Sequence, residues 1–542
     1  MENLTNLRHL KSSNLWSLKG MPPHLGTLTN LQTLSYFVVG EDSGSSRVGE
    51  LGPLLHLRGM LHISGLENVN GAADAAKANL TGKNGLDVLL MEWNNSEIVD
   101  PDVFDMLQPP SKLKELTVRG YNGQKLPTWI ANPSFCNMVI VRLECCTGCT
   151  FLPPLGQLVS LKKLIIRRMP GVETVGSEFH GEGWLRPFQL LESLSFEDME
   201  NWKNWFPVET GIGIDGFPHL NKLFLKRCPK LEGKLPGNLP SLAKLVIEKC
   251  DQLVVSIPSR QKLCELDING CKEVVRESEV DLTSLRSMSL YDISKITHPT
   301  VGFMQRLTRT EDLKVVGCKE KISLWRDELH QLTSLRCLEI EDSFEHLTLV
   351  GEETGQIRSC DALECLSSDK LPETLEHLEI KECGRLMSLS SKEELPQALK
   401  HLLISDCGKL ESITDRFHDN TCLESIKIID CPKLKSLPEG LCHLTNLDNL
   451  HISWCDSLVS FPGGGLRTSN LRDLTVTLCN RLEAFPKGMN YLSSLHRLSI
   501  SYCEVFTSIL EDGFPPNLTS LFIWNLKVSK PLFKWGSPLL ES

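Results

Sequence analysis

The stretch Leu375–Cys383 reads LEHLEIKEC, and its pattern L-x-x-L-x-I-x-x-C returns five more times at intervals of 24 residues. Apolar side chains two residues apart point to the same face of a strand, so each copy predicts a short strand with one buried face. Looser copies precede this region, and related phrases without the cysteine lie further upstream. The regular copies begin at Leu399, Leu423, Leu447, Leu471 and Leu495; the looser ones end at Cys228, Cys250, Cys271 and Cys318, and the related phrases begin at Leu113, Leu161 and Leu191.

A period of this length and this pattern are the signature of the leucine-rich repeat. A single repeat cannot bury its own leucines, so neighbouring repeats must stack. The sequence therefore predicts an α/β solenoid, a leucine-rich-repeat horseshoe with a concave parallel β-sheet and an irregular convex side. We expect one solenoid over 1–542 with about 20 units. Its predicted parts are irregular repeats of 22–30 residues in 1–230 with loop insertions near 40–50 and 66–85, an irregular insert at 335–375, and regular 24-residue repeats in 375–542.

The cysteines follow the repeat. The ninth position turns inward at the end of the strand, where asparagine is usual and cysteine is a compact substitute. Parallel Cβ vectors oppose disulfides between neighbouring repeats, so we expect a ladder of reduced, buried thiols. A zinc site within ECCTGC (Glu144–Cys149) is the alternative, but Cys146 already fits the ladder. The predicted ladder comprises Cys146, Cys228, Cys250, Cys271, Cys318, Cys383, Cys407, Cys431, Cys455, Cys479 and Cys503.

Composition and motifs argue against several function classes. The chain has 542 residues, 68 acidic and 57 basic, and a formal charge of −11, which gives no general attraction to nucleic acid. It has no apolar run long enough for a membrane span and no secretory signal at Met1–Leu10, so we expect a cytoplasmic protein. Phosphate-binding loops of the Walker type and hydrolase motifs do not occur. The glycine spacing G-x-G-x-x-G occurs once, in GIGIDG (Gly211–Gly216), but it stands between two leucine-rich repeats rather than in a βαβ unit, which the dinucleotide fingerprint requires. We expect no enzyme activity, no metal site and no cofactor in this chain.

The alternating strand positions that project from the concave face are the candidate protein-binding residues. Charged side chains there set register and association rate, and exposed aromatic rings contribute most of the binding energy. The alternatives are ordinary solvated positions and, for the last aromatics, capping of the solenoid. The candidates form a basic start (Lys162, Lys163, Arg167, Arg168), a second basic block (Lys222, Lys226, Arg227), an acidic strand (Glu376, Glu379, Glu382) and an aromatic group (Trp454, Tyr502, Phe522, Trp524).

Several phrases resemble the repeat region of plant intracellular immune receptors, the coiled-coil nucleotide-binding leucine-rich-repeat class of disease-resistance proteins. They are LKGMPPHLGTLTNLQTLSYFVVG (Leu18–Gly40), LRGMLHISGLENV (Leu57–Val69), LPTWIANPSF (Leu126–Phe135), the segment Cys149–Gly181 and LESLSFEDMENWKNW (Leu191–Trp205). The resemblance implies recognition of a pathogen effector or an effector-modified host protein on the concave face. It also implies an intramolecular contact that holds the nucleotide-binding domain inactive at rest.

This sequence lacks the coiled coil and the nucleotide-binding domain of that class, so ADP or ATP is expected only in that missing domain. We therefore expect a fragment or a truncated product. A stand-alone repeat scaffold or decoy remains open, as does an F-box-type substrate adaptor. An extracellular receptor-like repeat protein is a further alternative, although its usual L-x-G-x-I-P phrase is approached only by LEGKLP (Leu231–Pro236).

Overall fold

The structure is a computed structural model of the whole chain, whose contacts cluster in two compact units, Met1–Asp281 and Leu282–Ser542. Each unit is a stack of leucine-rich repeats, and the predicted parallel-sheet solenoid is confirmed. Whether 1–542 forms one continuous solenoid stays a prediction. The structure describes residues 4, 6–11, 18–41, 46–94, 100–181, 186–206, 216–236, 239–257, 263–276, 282–293, 296–297, 306–317, 329–341, 365–367, 371–390, 395–417, 422–505 and 513–526.

The first unit contains one main parallel sheet, in which β3–β8, β10, β12, β14 and β15 pair in chain order. Two short pairs lie beside it, β1 with β2 at the strand positions of the first repeats and β9 with β11 on the return paths. The strands are β1 (His9–Leu10), β2 (Thr33–Leu34), β3 (Tyr36–Val38), β4 (Arg58–Ser64), β5 (Gly85–Glu92), β6 (Glu115–Arg119), β7 (Ile140–Glu144), β8 (Lys163–Arg167), β9 (Thr174–Val175), β10 (Ser193–Glu197), β11 (Asn204–Trp205), β12 (Lys222–Lys226), β13 (Gly233–Lys234), β14 (Lys244–Ile257) and β15 (Glu265–Arg276); the helices are α1 (Ala72–Lys77), α2 (Pro101–Met106) and α3 (Ser177–His180).

The second unit has the same architecture, with β16, β18, β19, β21 and β23–β28 paired in parallel and in chain order. Short 3₁₀ turns such as Leu441–His443 and Met489–Tyr491 lie on the return paths. The strands are β16 (Ser287–Ile293), β17 (Ile296–Thr297), β18 (Asp312–Val316), β19 (Cys337–Glu341), β20 (Cys365–Ser367), β21 (His377–Lys381), β22 (Ser388–Ser390), β23 (His401–Ser405), β24 (Ser425–Ile429), β25 (Asn449–Ser453), β26 (Asp473–Thr477), β27 (Arg497–Ser501) and β28 (Ser520–Trp524).

The repeats stack in register, so equivalent residues face each other. Leu450 pairs with Leu474, and Ile452 with Val476. These apolar positions are buried, as is Leu447 three residues upstream, whereas the intervening residues face outward. The L-x-x-L-x-I pattern thus produces a continuous core between the sheet and the return paths, as the sequence predicts. Truncating one such leucine to alanine typically costs about 2–5 kcal/mol.

The residue directly after most core strands adopts a left-handed backbone, and we call these positions the turn row. Its N–H group donates to the carbonyl of the last residue of the next strand, as from Trp454 to Thr477 over 3.1 Å. This bond turns the chain inward toward the buried cysteine. Left-handed residues of the turn row that directly follow a strand are Gly65, Gly120, Cys145, Arg168, Asp198, Arg227, Gly317, Glu382, Asp406, Asp430, Trp454, Leu478, Tyr502 and Asn525; Lys249, Gly270 and Asp292 hold the equivalent repeat position inside the longer strands β14, β15 and β16.

The predicted insertion at 66–85 is ordered and carries α1, in agreement with the alanine-rich sequence AADAAK. A fully buried lysine, Lys83, anchors it by donating from Nζ to the carbonyls of Leu51 over 2.6 Å and Leu54 over 3.3 Å. Burial lowers the pKa of Lys83 to about 8. Of the predicted loop at 40–50, residues 42–45 lie outside the described residues, as does most of the insert at 335–375.

Aromatic residues fill the longer repeats of the first unit. Phe196 packs against Trp202 with ring centroids 4.5 Å apart, and Phe188 stacks on Phe217 at 5.1 Å. His180 is buried beside these rings, and the surrounding apolar side chains lower its pKa to about 4. The phenylalanine- and tryptophan-rich phrases between Leu161 and Leu220 therefore contribute side chains to the core.

Candidate protein-binding surfaces

The outward face of the first unit carries charged side chains that alternate in sign. We call this set the charge ladder. It is formed by the last residues of β5, β6, β7, β8, β10 and β12 and by the residue of β14 that pairs with the last residue of β12. The in-register pairing of β5, β6, β7, β8, β10, β12 and β14 places an acid beside a base at each step. The ladder consists of Glu92, Arg119, Glu144, Arg167, Glu197, Lys226 and Glu248.

Several neighbours in the charge ladder form ion pairs. Arg119 lies 2.8 Å from Glu144 and 3.5 Å from Glu92, measured between guanidinium nitrogens and carboxylate oxygens. A hydrogen bond from His62 over 2.8 Å, together with Arg119, lowers the pKa of the Glu92 carboxyl. Arg167 lies 3.7 Å from Glu197, and Lys226 the same distance from Glu248. The ladder therefore compensates its own charges.

The turn row extends this compensation around Asp198. Its carboxylate accepts from Arg227 and from Arg167, the latter over 3.3 Å, and Arg168 lies 3.6 Å away. The Arg227 guanidinium, followed by that of Arg167, lowers the pKa of Asp198. Arg168 and Arg227 thus lie one residue beyond their strands rather than within them, because the chain has already begun its inward turn.

The remaining basic candidates lie at the start of their strands. Lys162 precedes β8 and forms an exposed ion pair with Glu192 at 2.8 Å. Lys163 and Lys222 occupy the first positions of β8 and β12, and both side chains are exposed. The sequence suggested separate basic and acidic blocks on this face, whereas the register interleaves most of these charges across neighbouring strands.

The acidic candidates near β21 are also distributed differently from a plain acidic strand. Glu376 precedes the strand and pairs with Lys400 at 2.8 Å and with Arg336, and these cations lower its pKa to about 2. Glu379 projects from the sheet and pairs with Lys381 at 2.6 Å. Glu382 belongs to the turn row.

Further along this unit the outward face loses its charge. We call the hydroxyl side chains at the middle and last positions of β25–β27 the hydroxyl platform: Ser453, Thr475, Thr477, Ser499 and Ser501. Ser453 is buried at its edge, and its hydroxyl lies 3.3 Å from Nε2 of His451, which holds the middle position of β25. Their strands pair in register, so the hydroxyls form two adjoining columns. Sequence reasoning missed this platform, although aligning the repeats on their leucines would have shown it.

The four aromatic candidates border the hydroxyl platform, and we call them the aromatic rim. Trp454 and Tyr502 are turn-row residues with 52% and 42% of their surface exposed. Phe522 and Trp524 project outward from β28 with exposures of 65% and 61%. The Tyr502 N–H donates to the Trp524 carbonyl over 2.9 Å, which brings these two residues together. The rim thus lies along one side and one end of the platform.

Histidines lie on the same sheet before the hydroxyl platform. His377 and His401 stack with ring centroids 4.5 Å apart and planes inclined by 14°. Burial and the neighbouring His377 lower the pKa of His401, and burial together with Lys427 lowers that of His451. The imidazoles of His401 and His451 are therefore favoured in the neutral form, and Nε2 of His451 lies within hydrogen-bond distance, 3.3 Å, of the Ser453 hydroxyl.

The cysteine ladder lies on the buried side of the turn row. The thiol of Cys455 donates to the carbonyl of Ser453 over 3.4 Å, and equivalent bonds recur in neighbouring repeats. A hydrogen bond with Cys383 raises the pKa of Cys407 to about 12, and burial raises that of Cys503 to about 11. The ladder cysteines within the described ranges are buried and form no disulfides, namely Cys146, Cys228, Cys250, Cys271, Cys383, Cys407, Cys431, Cys455, Cys479 and Cys503; Cys318 lies outside those ranges.

The cysteines of ECCTGC are held by backbone groups. Cys146 and Cys149 are buried, and the Cys149 thiol donates to the Gly123 carbonyl over 3.2 Å. In the part of the chain that the structure describes, no three histidine, cysteine or acidic side chains are arranged to hold a metal ion. Across the same residues, no helix is long and apolar enough to cross a membrane.

Comparison with known proteins shows which repeat proteins this chain resembles. Residues 48–169 match the family of R13L1/DRL21 leucine-rich repeats. The chain is 40% identical over 237 residues to disease resistance RPP13-like protein 1 of Arabidopsis thaliana. The aligned region covers 40% of this chain and 22% of that protein. It is 35% identical over 232 residues to disease resistance protein RGA2 of Solanum bulbocastanum, covering 41% and 23% respectively.

The matched regions thus span less than a quarter of either relative. Among solved structures, a TDR receptor aligns over 97% of this chain and 86% of its own with a TM-score of 0.43 and 16% identity. Through its leucine-rich repeats, this chain is related to the plant disease-resistance proteins.

Proposed function

We propose that this chain is the sensing repeat region of a plant immune receptor, which recognises a pathogen effector or an effector-modified host protein through the outward face of its sheet. In a full-length receptor the same repeats would hold the nucleotide-binding domain inactive, and ADP or ATP would bind that domain. The repeats themselves would act by binding alone, without catalysis or a cofactor, in the cytoplasm.

One observation carries the proposal: a chain related to disease-resistance proteins exposes an aromatic rim on an uncharged part of its sheet. Exposed tryptophan and tyrosine side chains are typical of protein-binding hot spots. Trp454 and Tyr502 are not needed to complete the core, which the buried leucines and isoleucines of β25 and β27 already fill. On β28 the apolar residues between the rings are themselves partly exposed, Leu521 by 41%. The exposure of Trp454 and Tyr502 is therefore explained best by a partner.

An exchange of segments between receptors tests this function. Leu423–Ser542 would replace the corresponding segment of a related receptor that responds to a known effector, and the reciprocal exchange would be made in parallel. The defence response in leaves should follow the exchanged segment. As a matched control, exchange of Leu113–Lys226, which carries most of the charge ladder, should leave the response unchanged. A defence response whose effector specificity stays the same after the 423–542 exchange would contradict the proposal.

A further inference from the structure

The hydroxyl platform and the aromatic rim together form a surface whose chemistry differs from the rest of the sheet. None of its nine side chains carries a charge near neutral pH. His451 adjoins them beside Thr475, and burial lowers the pKa of its imidazole, which favours the neutral form. The nearest charges on β26 and β27 are Asp473 and Arg497, at the first positions of these strands. The Arg497 guanidinium lies 3.3 Å from the Asp473 carboxylate, so the two charges compensate each other. An ionic ligand would lose its hydration here without gaining an opposite charge.

The floor of this surface offers hydrogen bonds of both kinds. A serine or threonine hydroxyl can donate and accept, so it can satisfy either a backbone N–H or a backbone carbonyl. The hydroxyls lie in two columns that run across the strands, about 6.6 Å apart along each strand and repeating every 4.8 Å or so between strands. An extended peptide crossing the strands would meet the His451 imidazole on β25, beside the buried Ser453, and then hydroxyls on β26 and β27.

The aromatic rim sets the length of the bound segment. Trp454 and Trp524 belong to repeats three strands apart, which corresponds to about 14 Å between their backbones. Four or five extended residues cover that distance. An apolar side chain at each end of such a segment would reach a ring, while small or polar uncharged side chains would lie over the hydroxyls.

We propose that the platform and its rim bind an extended, uncharged peptide segment of the partner protein, with apolar or aromatic side chains anchored at Trp454 and at the Phe522–Trp524 end. The proposal rests on the proposed function and specifies the chemistry of its ligand. Affinity should then depend on apolar contact and neutral hydrogen bonds, and it should respond little to salt.

Selection from a display library of random 12-residue peptides tests this chemistry on the purified full chain. Bound peptides would be re-tested on the double variant Trp454→Ala/Trp524→Ala and on a control, Phe151→Ala/Tyr491→Ala, which removes equally exposed rings elsewhere. Peptides that need the rim should be poor in Asp, Glu, Lys and Arg. They should lose at least about tenfold in affinity on the rim variant and change less than about twofold between 50 and 500 mM NaCl.

A second variant, Thr477→Lys, adds a charge to the floor without touching the rim, and the same peptides should again lose about tenfold. Unchanged circular dichroism and thermal unfolding would show that the variants fold. The inference is overturned if no selected peptide depends on the rim, which would favour a non-peptide ligand such as a glycan, or if rim-dependent peptides are rich in charge and sensitive to salt.

The two proposals fail separately. Transfer of specificity by the segment exchange without rim-dependent uncharged peptides would leave the proposed function standing and remove this inference. Rim-dependent uncharged peptides without transfer of specificity would support peptide binding by this surface and contradict the proposed function.

Discussion

The charge ladder of β5–β14 and the hydroxyl platform of β25–β27 are built on the same repeat but use their outward positions in opposite ways. In the ladder, ionised groups alternate and compensate each other across strands. On the platform, small hydroxyls leave the sheet uncharged, and aromatic rings are exposed beside it. The first unit also buries its aromatic clusters, whereas the core of β25–β27 is aliphatic and cysteine-lined.

The difference shows that charge on a sheet face is a poor guide to binding when the register is ignored. A ladder whose ions already have partners gains little from another protein, since existing pairs must first be broken. An uncharged face bordered by rings has no such internal partners. The following predictions, from the largest expected effect to the smallest, test how far the two regions differ.

The turn row gives the largest contrast. Gly120 has φ of +73°, and an added Cβ would lie 2.1 Å from the Trp93 carbonyl oxygen. Leu478 occupies the equivalent position near the platform and already carries a side chain at φ of +55°. Gly120→Ala should destabilise the first unit by about 3 kcal/mol, and Leu478→Ala should change the second by less than about 0.5 kcal/mol. Urea unfolding measures both free energies. Equal effects would contradict the view that the turn row leaves room for a side chain at Leu478 but not at Gly120.

Burial of His180 predicts that acid weakens the first unit. Its pKa is lowered to about 4, so between the ordinary value of 6.5 and 4 the unfolded chain binds more protons than the folded one. Stability from this residue is therefore present above pH 6.5 and falls as the pH drops, by about 3 kcal/mol at pH 4. His180→Phe should remove this loss. Hydrogen exchange at matched pH should show the difference in 163–226 and none in 449–505.

Charge reversal tests the ladder against the platform. Arg119→Glu would place three carboxylates side by side with Glu92 and Glu144, and we expect a destabilisation of about 2 kcal/mol. Thr477→Glu introduces the same side chain at the same repeat position of the platform and should cost less than about 0.5 kcal/mol. Local protection of 85–144 and 449–505 in hydrogen exchange measures each. A comparable cost at both sites would remove the distinction between the two regions.

The smallest expected effect concerns the exposed pair Lys162–Glu192, outside the ladder proper. Both side chains are about half exposed, so their coupling in a double-mutant cycle should be about 0.5 kcal/mol. It should fall further in 1 M NaCl, because salt screens exposed charges. A coupling above about 1.5 kcal/mol would mean that the edge of the sheet is as strongly interlocked as the ladder.

The core could be predicted from the sequence because its determinants are local. Leu450 and Ile452 lie two residues apart, and that spacing alone assigns them to the buried face. The inward cysteine follows from the same count. The turn row could not be predicted, because tryptophan, leucine and arginine disfavour a left-handed backbone. At Trp454 and Leu478 that preference is overridden by a hydrogen bond to the next repeat, which is a non-local contact.

The charges required register as well as position. Arg167 and Glu197 are 30 residues apart, and the irregular repeat length in this region hides their pairing. Aligning Leu164 with Leu194 would have revealed it, as it would have revealed the hydroxyl columns. The exposed rings needed no such alignment, since Phe522 and Trp524 alternate with apolar residues on a single strand.

The constant 24-residue length of the later repeats affects how their gene can change by recombination. Recombination that removes 471–494 joins Asn470 to Leu495, and β25 would then pair with β27 in an unaltered register. One repeat's core residues are lost and those that remain keep their repeat positions, yet Trp454 and Tyr502 move from two strands apart to one, about 4.8 Å closer. Duplication of the same segment would separate them by as much again. A gene encoding such repeats can therefore change the spacing of its exposed aromatic residues in fixed steps through a single crossover, without a point mutation.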